Sequence, residues 1–319
     1  MQRVRFWGTR GSLPVALTTE GVRAKLKAAL RSARGQALAS DEAISRYVDE
    51  LPFDVGGTFG GHTSCVELEN GSGEYVVCDL GSGLRPFGQA ALARHGPGVP
   101  QTYHLFVSHL HWDHIMGLPF FGPAYIPGNR LFFYGAHREL EMALRRQMEP
   151  PSFPVSFSEF NATIEFIHLE PDMTHDVAGM QVTVKRQHHA GDSYGYRFER
   201  GGRSVVYSTD SEHTFEDPTE SASFATFFRD ADLVIFDAMY SLAEAISVKA
   251  DWGHSSNIVG VELCQVAQAR HLCLFHHEPA LDDTALLKML EETRRYEEIT
   301  RMGSGVQVSA AYDGLVLTL

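Results

Sequence analysis

The chain is poor in the features that several protein classes require. Its 319 residues include 4 cysteines and 3 tryptophans. Cys65, Cys78, Cys264 and Cys273 form no C-x-x-C pair and sit in apolar surroundings. That pattern excludes a disulfide framework and a zinc-cysteine knot, and predicts buried free thiols. No apolar run approaches the roughly 20 residues that cross a bilayer. The opening MQRVRFWGTRG lacks the apolar core of a signal peptide, which predicts a cytoplasmic protein. Positive charge is scarce too: 27 Lys and Arg stand against 40 Asp and Glu, a formal net charge of −13. This balance argues against nucleic acid and anionic membrane as partners. There is no Walker loop and no G-x-S-x-G, so neither a phosphate-loop NTPase nor a serine-elbow hydrolase is indicated.

What is present reads as one mixed α/β domain over residues 1–319. Val4–Trp7 is a short strand running into the turn Gly8–Ser12. Thr19–Arg34 and Asp41–Leu51 carry apolar residues at helical spacing, with Asp41 as a candidate N-cap, and form a helical insertion at about 18–55. Strands are predicted at Ser64–Leu68, Glu74–Asp79, Tyr103–Ser108, Leu131–Tyr134, Thr163–Leu169, Gln181–Gln187, Ser193–Glu199, Ser204–Ser208, Leu233–Phe236 and Leu272–Phe275, with Asn70-Gly71 a hairpin turn. Helices are predicted at Arg138–Met148, Ser221–Arg229, Ser255–Ala267 and Asp282–Tyr296. Two apolar stretches, Val306–Ser309 and Leu315–Leu319, end the chain, and Pro150, Pro151 and Pro154 mark 148–157 as a loop.

The strongest chemical signal is Ser108-His109-Leu110-His111-Trp112-Asp113-His114. Alternation at a strand end turns His109 and His111 to one side. A helical turn after them sends Asp113 and His114 to a neighbouring position. One loop thereby serves two metal positions a few Å apart. Further donors each follow an apolar strand: His189, Asp210, Asp237 and His276. Donors collected at several strand ends form a site on one rim of a sheet. Asp79, also at a strand end, is a candidate acceptor for the second N–H of a metal-facing imidazole. His62, His95, His104, His137, His168, His175, His213 and His271 have no partner at useful spacing. Trp112 and Trp252 are candidates for an aromatic wall or for core packing.

Together these residues resemble the metallo-β-lactamase superfamily, in particular its phosphodiesterase branch, which contains ribonuclease Z. Gly8–Ser12, Gly61–Cys65 and Asp79–Gly83 match turns of that family. The resemblance implies a four-layer αββα sandwich of two mixed β-sheets with helices outside. It implies two divalent ions, zinc first, with manganese or iron as alternatives. One ion would take His109, His111 and His189; the other Asp113, His114 and His276; Asp210 would bridge them. His188 and His277 remain open as alternatives to their neighbours. His254, in Gly253-His254-Ser255-Ser256, resembles a general acid of ribonuclease Z; Asp237 either orients it or caps its own strand, and Arg197 reads as an ordinary surface arginine, with contact to a substrate phosphate as the alternative. The implied reaction is hydrolysis by a metal-bridging hydroxide, in which Asp113 and Asp210 hold that hydroxide. A small phosphodiester such as a cyclic nucleotide is the expected substrate, because the RNA-gripping arm would fall between Tyr196 and Asp210, where this chain is short. Lactone, thioester or lactam hydrolysis, RNA 3′-end processing and a non-enzymatic metal sensor are the alternatives. The resemblance also implies a homodimer, with residues 18–55 and 148–157 available to build it or to cover the site.

Overall fold

The computed structural model describes residues 1–213, 218–240 and 253–319. Its first half contains β1 (Arg3–Gly8), α1 (Thr19–Ser32), α2 (Asp41–Asp49), α3 (Phe53–Gly56), β2 (Cys65–Glu69), β3 (Tyr75–Cys78), α4 (Leu84–His95), β4 (Thr102–Phe106), α5 (Trp112–Ile115), β5 (Arg130–Gly135), α6 (Leu140–Arg146) and β6 (Thr163–His168). The second half adds β7 (Thr174–Val177), β8 (Met180–Gln187), β9 (Ser193–Arg200), β10 (Arg203–Ser208), α7 (Pro218–Phe228), β11 (Leu233–Asp237), α8 (Asn257–Ala267), β12 (His271–Phe275), α9 (Asp283–Thr300), β13 (Gln307–Ala310) and β14 (Val316–Thr318). The strands form two seven-stranded sheets, ordered β14-β1-β2-β3-β4-β5-β6 and β13-β12-β11-β10-β9-β8-β7.

Burial explains the layering. Phe6, Val66 and Phe106 of the first sheet meet Val182, Tyr196, Phe198, Ile235 and Phe275 of the second in one apolar layer. Phe106 and Phe198 cross it edge to face, 5.0 Å between ring centres. A second layer packs α7, α8 and α9 on the far side of the second sheet through Phe228, Val234, Phe236, Val261 and Leu286. A third packs α4 and the 118–125 turns on the far side of the first sheet through Leu84, Phe87, Leu105 and Phe121. The result is helix, sheet, sheet, helix. β11 is covered on both faces and reads as an unbroken apolar run, Leu233-Val234-Ile235-Phe236, all buried. β8 lies nearer its sheet's edge and alternates, with Met180, Val182 and Val184 inward.

Both sheets are mixed. β3 to β6 run parallel, as do β10 to β13, while their outer strands pair antiparallel. The parallel strands aim their carboxyl ends at one rim, where the histidine and aspartate loops emerge. No helix among the described residues is long and apolar enough to cross a membrane.

The structure corrects several expectations. Ser40, not Asp41, caps α2: its hydroxyl accepts from the Ala43 N–H. α4 and β7 were not legible as elements. Gly195-Tyr196-Arg197 lies inside β9, within the strand expected at Ser193–Glu199, and the β9–β10 hairpin closes on Gly201 and Gly202, with Arg200 opposite Arg203. The four cysteines are free and buried, as their surroundings in the sequence imply.

Candidate metal centre

The His109–His114 loop leaves β4 at the rim. Asp79 anchors it from the end of β3. Its Oδ1 accepts the Ser108 N–H (2.8 Å), and its Oδ2 accepts the Ser108 hydroxyl (2.7 Å), the His114 Nδ1–H (2.7 Å) and the Tyr207 hydroxyl (2.7 Å). Asp79 is fully buried. Its contact with Nδ1 fixes the tautomer and turns His114 Nε2 into the site. The Tyr207 bond ties the second sheet to this anchor, because Tyr207 belongs to β10.

Two donor groups result. His109, His111 and His189 form one; Asp113, His114, Asp210 and His276 form the other, with donor atoms in each group within 4.8 Å of one another. Asp210 links them. Its Oδ1 lies 3.1 Å from His114 Nε2 and 3.3 Å from His276 Nε2, while its Oδ2 lies 3.6 Å from His109 Nε2 and 3.7 Å from His189 Nε2. His189 donates Nδ1–H to the Gly253 carbonyl (2.7 Å), which frees Nε2 for the centre. Asp113 Oδ2 accepts the Ser12 N–H (2.8 Å) and lies 3.2 Å from His276 Nε2.

Asp79, Asp210 and His276 adopt left-handed backbone conformations, φ 61°, 48° and 59°. Such conformations concentrate at sites where function outweighs local strain. Two glycines admit close approach: a Cβ on Gly11 would stand 2.5 Å from the His276 ring, and one on Gly253 2.4 Å from His189 Nδ1.

The electrostatics suit a cation. Burial pulls down His109, His111 and His189, which keeps these imidazoles neutral with lone pairs available. Burial opposes ionisation of Asp113 and Asp210, but His114 and His276 outweigh it and hold both carboxylates well below the usual range. His109 Nε2 is buried without a hydrogen-bond partner among the described residues. His114 and His276 bring Nε2 atoms to 3.2 Å, and His189 Nε2 meets His111 Nδ1 at 3.1 Å. Converging nitrogens, anionic oxygens and an orphaned donor are the arrangement that divalent ions satisfy.

Beside both groups stands His254. Its Nδ1 is 2.8 Å from Asp237 Oδ2, and its ring stacks on His276 at 5.1 Å. Burial works against charge on His254, but Asp237, with Asp210 behind it, holds the imidazole up to about 9.

The remaining histidine pairs divide. His276 turns into the centre, whereas His277 donates Nε2–H to the Ala311 carbonyl (2.8 Å) in the core. His189 is buried at the centre, and His188 is exposed. Arg197 does not reach the site: it ties β9 to the Phe227 and Arg229 carbonyls and to Glu199. Trp112 is 78% exposed beside His111. Trp252 lies outside the described residues. Sequence reasoning missed the contributions of the Ser12 N–H, the Gly253 carbonyl and Tyr207. Gly11 and Gly253, glycines placed beside polar motif residues, were the available sign for two of these loops.

Comparison with known proteins agrees with this fold. The model of a beta-lactamase superfamily domain matches residues 75–277. Ribonuclease Z of Staphylococcus haemolyticus is 27% identical over 137 residues, and that of Staphylococcus aureus 28% over 136. These matches span only 42% and 41% of the relatives' own lengths. Among solved structures, the metallo-beta-lactamase fold protein YhfI from Bacillus subtilis superimposes with a TM-score of 0.64 at 17% identity, covering 100% of this chain and 99% of that one. A diphosphatase of the PhnP family gives 0.61 at 21%, covering 100% and 98%, and the short form of human tRNase Z gives 0.58 at 19%, covering 99% and 98%. These likenesses establish the fold. The chain belongs to the metallo-β-lactamase superfamily and is similar to its ribonuclease Z members.

Proposed function

We propose that the chain is a binuclear metal-dependent phosphodiesterase acting on a small phosphodiester, a cyclic nucleotide being the expected type. The observation that carries this reading is the His254–Asp237 pair standing against a double donor group divided by Asp210. The superfamily implies divalent ions, and the residues here fit them. His109, His111 and His189 would hold one; Asp113, His114 and His276 the other; Asp210 would contribute an oxygen to each. Zinc is the expected ion, and manganese and iron suit the same donors. When bound, such ions acidify a water to near-neutral pKa and offset charge growing on phosphoryl oxygens.

The chain's own residues then have defined tasks. Asp113, aimed by the Ser12 N–H, and Asp210 accept hydrogen bonds from the attacking water and orient it toward phosphorus. Asp79 and the Gly253 carbonyl keep His114 and His189 in the tautomers that face the centre. Against burial, Asp237 raises the His254 pKa and so favours its acid form. Asp237 takes its Nδ1–H, which leaves Nε2–H to protonate the departing oxygen. No side chain is required as a nucleophile.

RNA 3′-end processing is the second reading, and the ribonuclease Z relatives favour it. Those relatives also give no support to the expectation, drawn from net charge, that nucleic acid is an unlikely partner. The two-residue turn of the β9–β10 hairpin favours the smaller substrate, since it leaves no room there for an RNA-gripping arm. The test is hydrolysis of bis-p-nitrophenyl phosphate, a cyclic-nucleotide panel and a 3′-extended tRNA by zinc-loaded protein. Diester turnover that Asp210→Ala abolishes supports the proposal. Cleavage of tRNA alone moves the assignment to the second reading. Cleavage of lactones or thioesters alone refutes the substrate class, and metal binding without any turnover leaves a sensor.

A further inference from the structure

The carboxylate that anchors His114 also reaches the other donor group, and Ser108 carries the connection. Ser108 is fully buried just past the end of β4 and precedes His109 in the chain. Its Oγ stands between two partners, Asp79 Oδ2 at 2.7 Å and His109 Nδ1 at 3.1 Å. A hydroxyl has a single proton to donate. The contact to the carboxylate is the shorter and takes it. Ser108 Oγ is then left as an acceptor, and His109 Nδ1 must be the donor. The proton of the neutral imidazole is thereby placed on Nδ1 and the lone pair on Nε2. His109 Nε2 is the nitrogen that has no hydrogen-bond partner among the described residues, and it lies 3.6 Å from Asp210 Oδ2.

The rest of Ser108 is gripped as firmly. Its N–H donates to Asp79 Oδ1 (2.8 Å), and its carbonyl accepts the Tyr194 N–H (3.0 Å). The Val107 carbonyl beside it accepts the Tyr196 hydroxyl (2.6 Å). Tyr194 and Tyr196 belong to β9, so the second sheet fixes this segment from the side opposite Asp79. Held at every polar atom, Ser108 presents its Oγ to His109 in a fixed direction. His114, by contrast, takes Asp79 directly, Nδ1 to Oδ2 at 2.7 Å. His109 belongs with His111 and His189, and His114 with Asp113, Asp210 and His276. One buried carboxylate therefore stands behind an imidazole of each group, at first hand for His114 and through one hydroxyl for His109.

We propose that Ser108 is a positioning residue that relays the hold of Asp79 to His109, so that a single carboxylate fixes the tautomer of one imidazole at each ion position. The inference rests on the metal-holding part of the proposed function and not on its substrate. Its consequence is a split. Loss of the Ser108 hydroxyl disturbs the His109 position and spares His114, which keeps its own contact with Asp79. Loss of the Asp79 charge disturbs both.

Nitrogen-15 NMR of the histidine-labelled full chain, with and without zinc, tests this together with stepwise zinc competition against a chromogenic chelator. The two rings are assigned by the signals lost in His109→Gln and His114→Gln. In the wild type both are expected as the Nδ1–H tautomer. In Ser108→Ala, His109 is expected to become a mixture of tautomers while His114 keeps its signature. One of the two zinc affinities should fall about 10–100-fold, the usual cost of losing the outer partner of a metal-facing histidine, and the other should stay near its wild-type value. Asp79→Asn should weaken both. Ser108→Thr, which retains the hydroxyl, should restore the His109 tautomer and the lost affinity. An unchanged His109 tautomer in Ser108→Ala overturns the proposal. Equal weakening of both affinities in that variant also overturns it, and marks Ser108 as a support of the whole loop. A wild type that holds no ion defeats the proposed function instead, and the nitrogen signals of the ion-free chain then still decide the relay.

Discussion

Asp210 turns one carboxylate oxygen to each half of the centre, Oδ1 at 3.1 Å from His114 Nε2 and Oδ2 at 3.6 Å from His109 Nε2. One residue thereby couples two donor groups that share the His109–His114 loop and are completed by His189 on one side and His276 on the other. Replacing it with Asn preserves shape but removes the charge and one acceptor. Asp210→Asn is expected to weaken metal binding by at least about 100-fold at one position, more than the loss of an outer hydrogen-bond partner typically costs. Competition against a chromogenic chelator measures this without reference to turnover.

On the proposed mechanism, His254 and Asp237 separate the acid step from metal binding. His254→Gln is expected to lower kcat by about 10²–10⁴-fold for diesters with an alkoxide leaving group. A leaving group that departs without a proton, such as p-nitrophenolate, should lose far less. The pH profile gives a second reading. Burial pulls the imidazole down, but Asp237 holds it up to about 9, so the acid form persists until the pH passes that value and kcat falls above it. In Asp237→Asn this descending limb is expected to move toward the ordinary histidine range. A limb that stays in place in that variant would remove His254 from the proton-donor role.

His213 gives a stability prediction away from the chemistry. It is buried against Phe224 and Phe236, with ring centres 4.2 and 5.4 Å away, and its Nε2 has no hydrogen-bond partner among the described residues. Burial, with Lys185 adding to it, lowers its pKa to about 3. The unfolded imidazole takes a proton near pH 6.5. Between those values the unfolded chain binds more protons than the folded one. The stabilisation is therefore intact above about pH 6.5 and lost as the pH falls toward 3, at up to about 1.4 kcal/mol per pH unit. In His213→Phe, the acid limb of the Tm–pH curve should be shallower than in the wild type. His277, lowered to about 3 mainly by burial, adds to the same limb in both proteins.

Trp112 offers an indole with no ring or hydrogen-bond partner among the described residues, one residue from His111 and from Asp113. If a planar base stacks there, Trp112→Ala should raise KM several-fold for nucleoside diesters and leave KM for a dimethyl or diethyl diester unchanged; base–aromatic stacking contributes about 1–3 kcal/mol. Equal effects on both substrates would assign the indole to something other than base recognition.

The chain of donors was legible because local spacing encodes it. H-x-H-x-D-H places its side chains by alternation and one helical turn, and apolar runs before Asp210, Asp237 and His276 mark the strand ends that carry them. β7, four residues with a single buried member, offers too little pattern to read. α4 escaped because Pro86 and Gly88 interrupt an otherwise helical stretch, although Pro86 sits in the first turn, where a missing N–H costs nothing. The anchoring of Asp79 by Tyr207 was not legible, since it joins residues 128 positions apart across two sheets. Backbone donors such as the Ser12 N–H leave no mark on residue identity. The partners of Arg197 were not legible for a related reason: a strand position gives the residue's face, but not the carbonyls waiting beyond it.

The most direct test of the central claim is metal content measured together with diester turnover. The protein is stripped with chelator, reloaded with zinc, and assayed on bis-p-nitrophenyl phosphate and cyclic nucleotides as ions are added back. The account predicts two tightly held ions per chain and diester hydrolysis that rises with their occupancy and is lost in Asp210→Ala. A chain that holds no ion at these residues, or that hydrolyses diesters equally well when stripped, would contradict it.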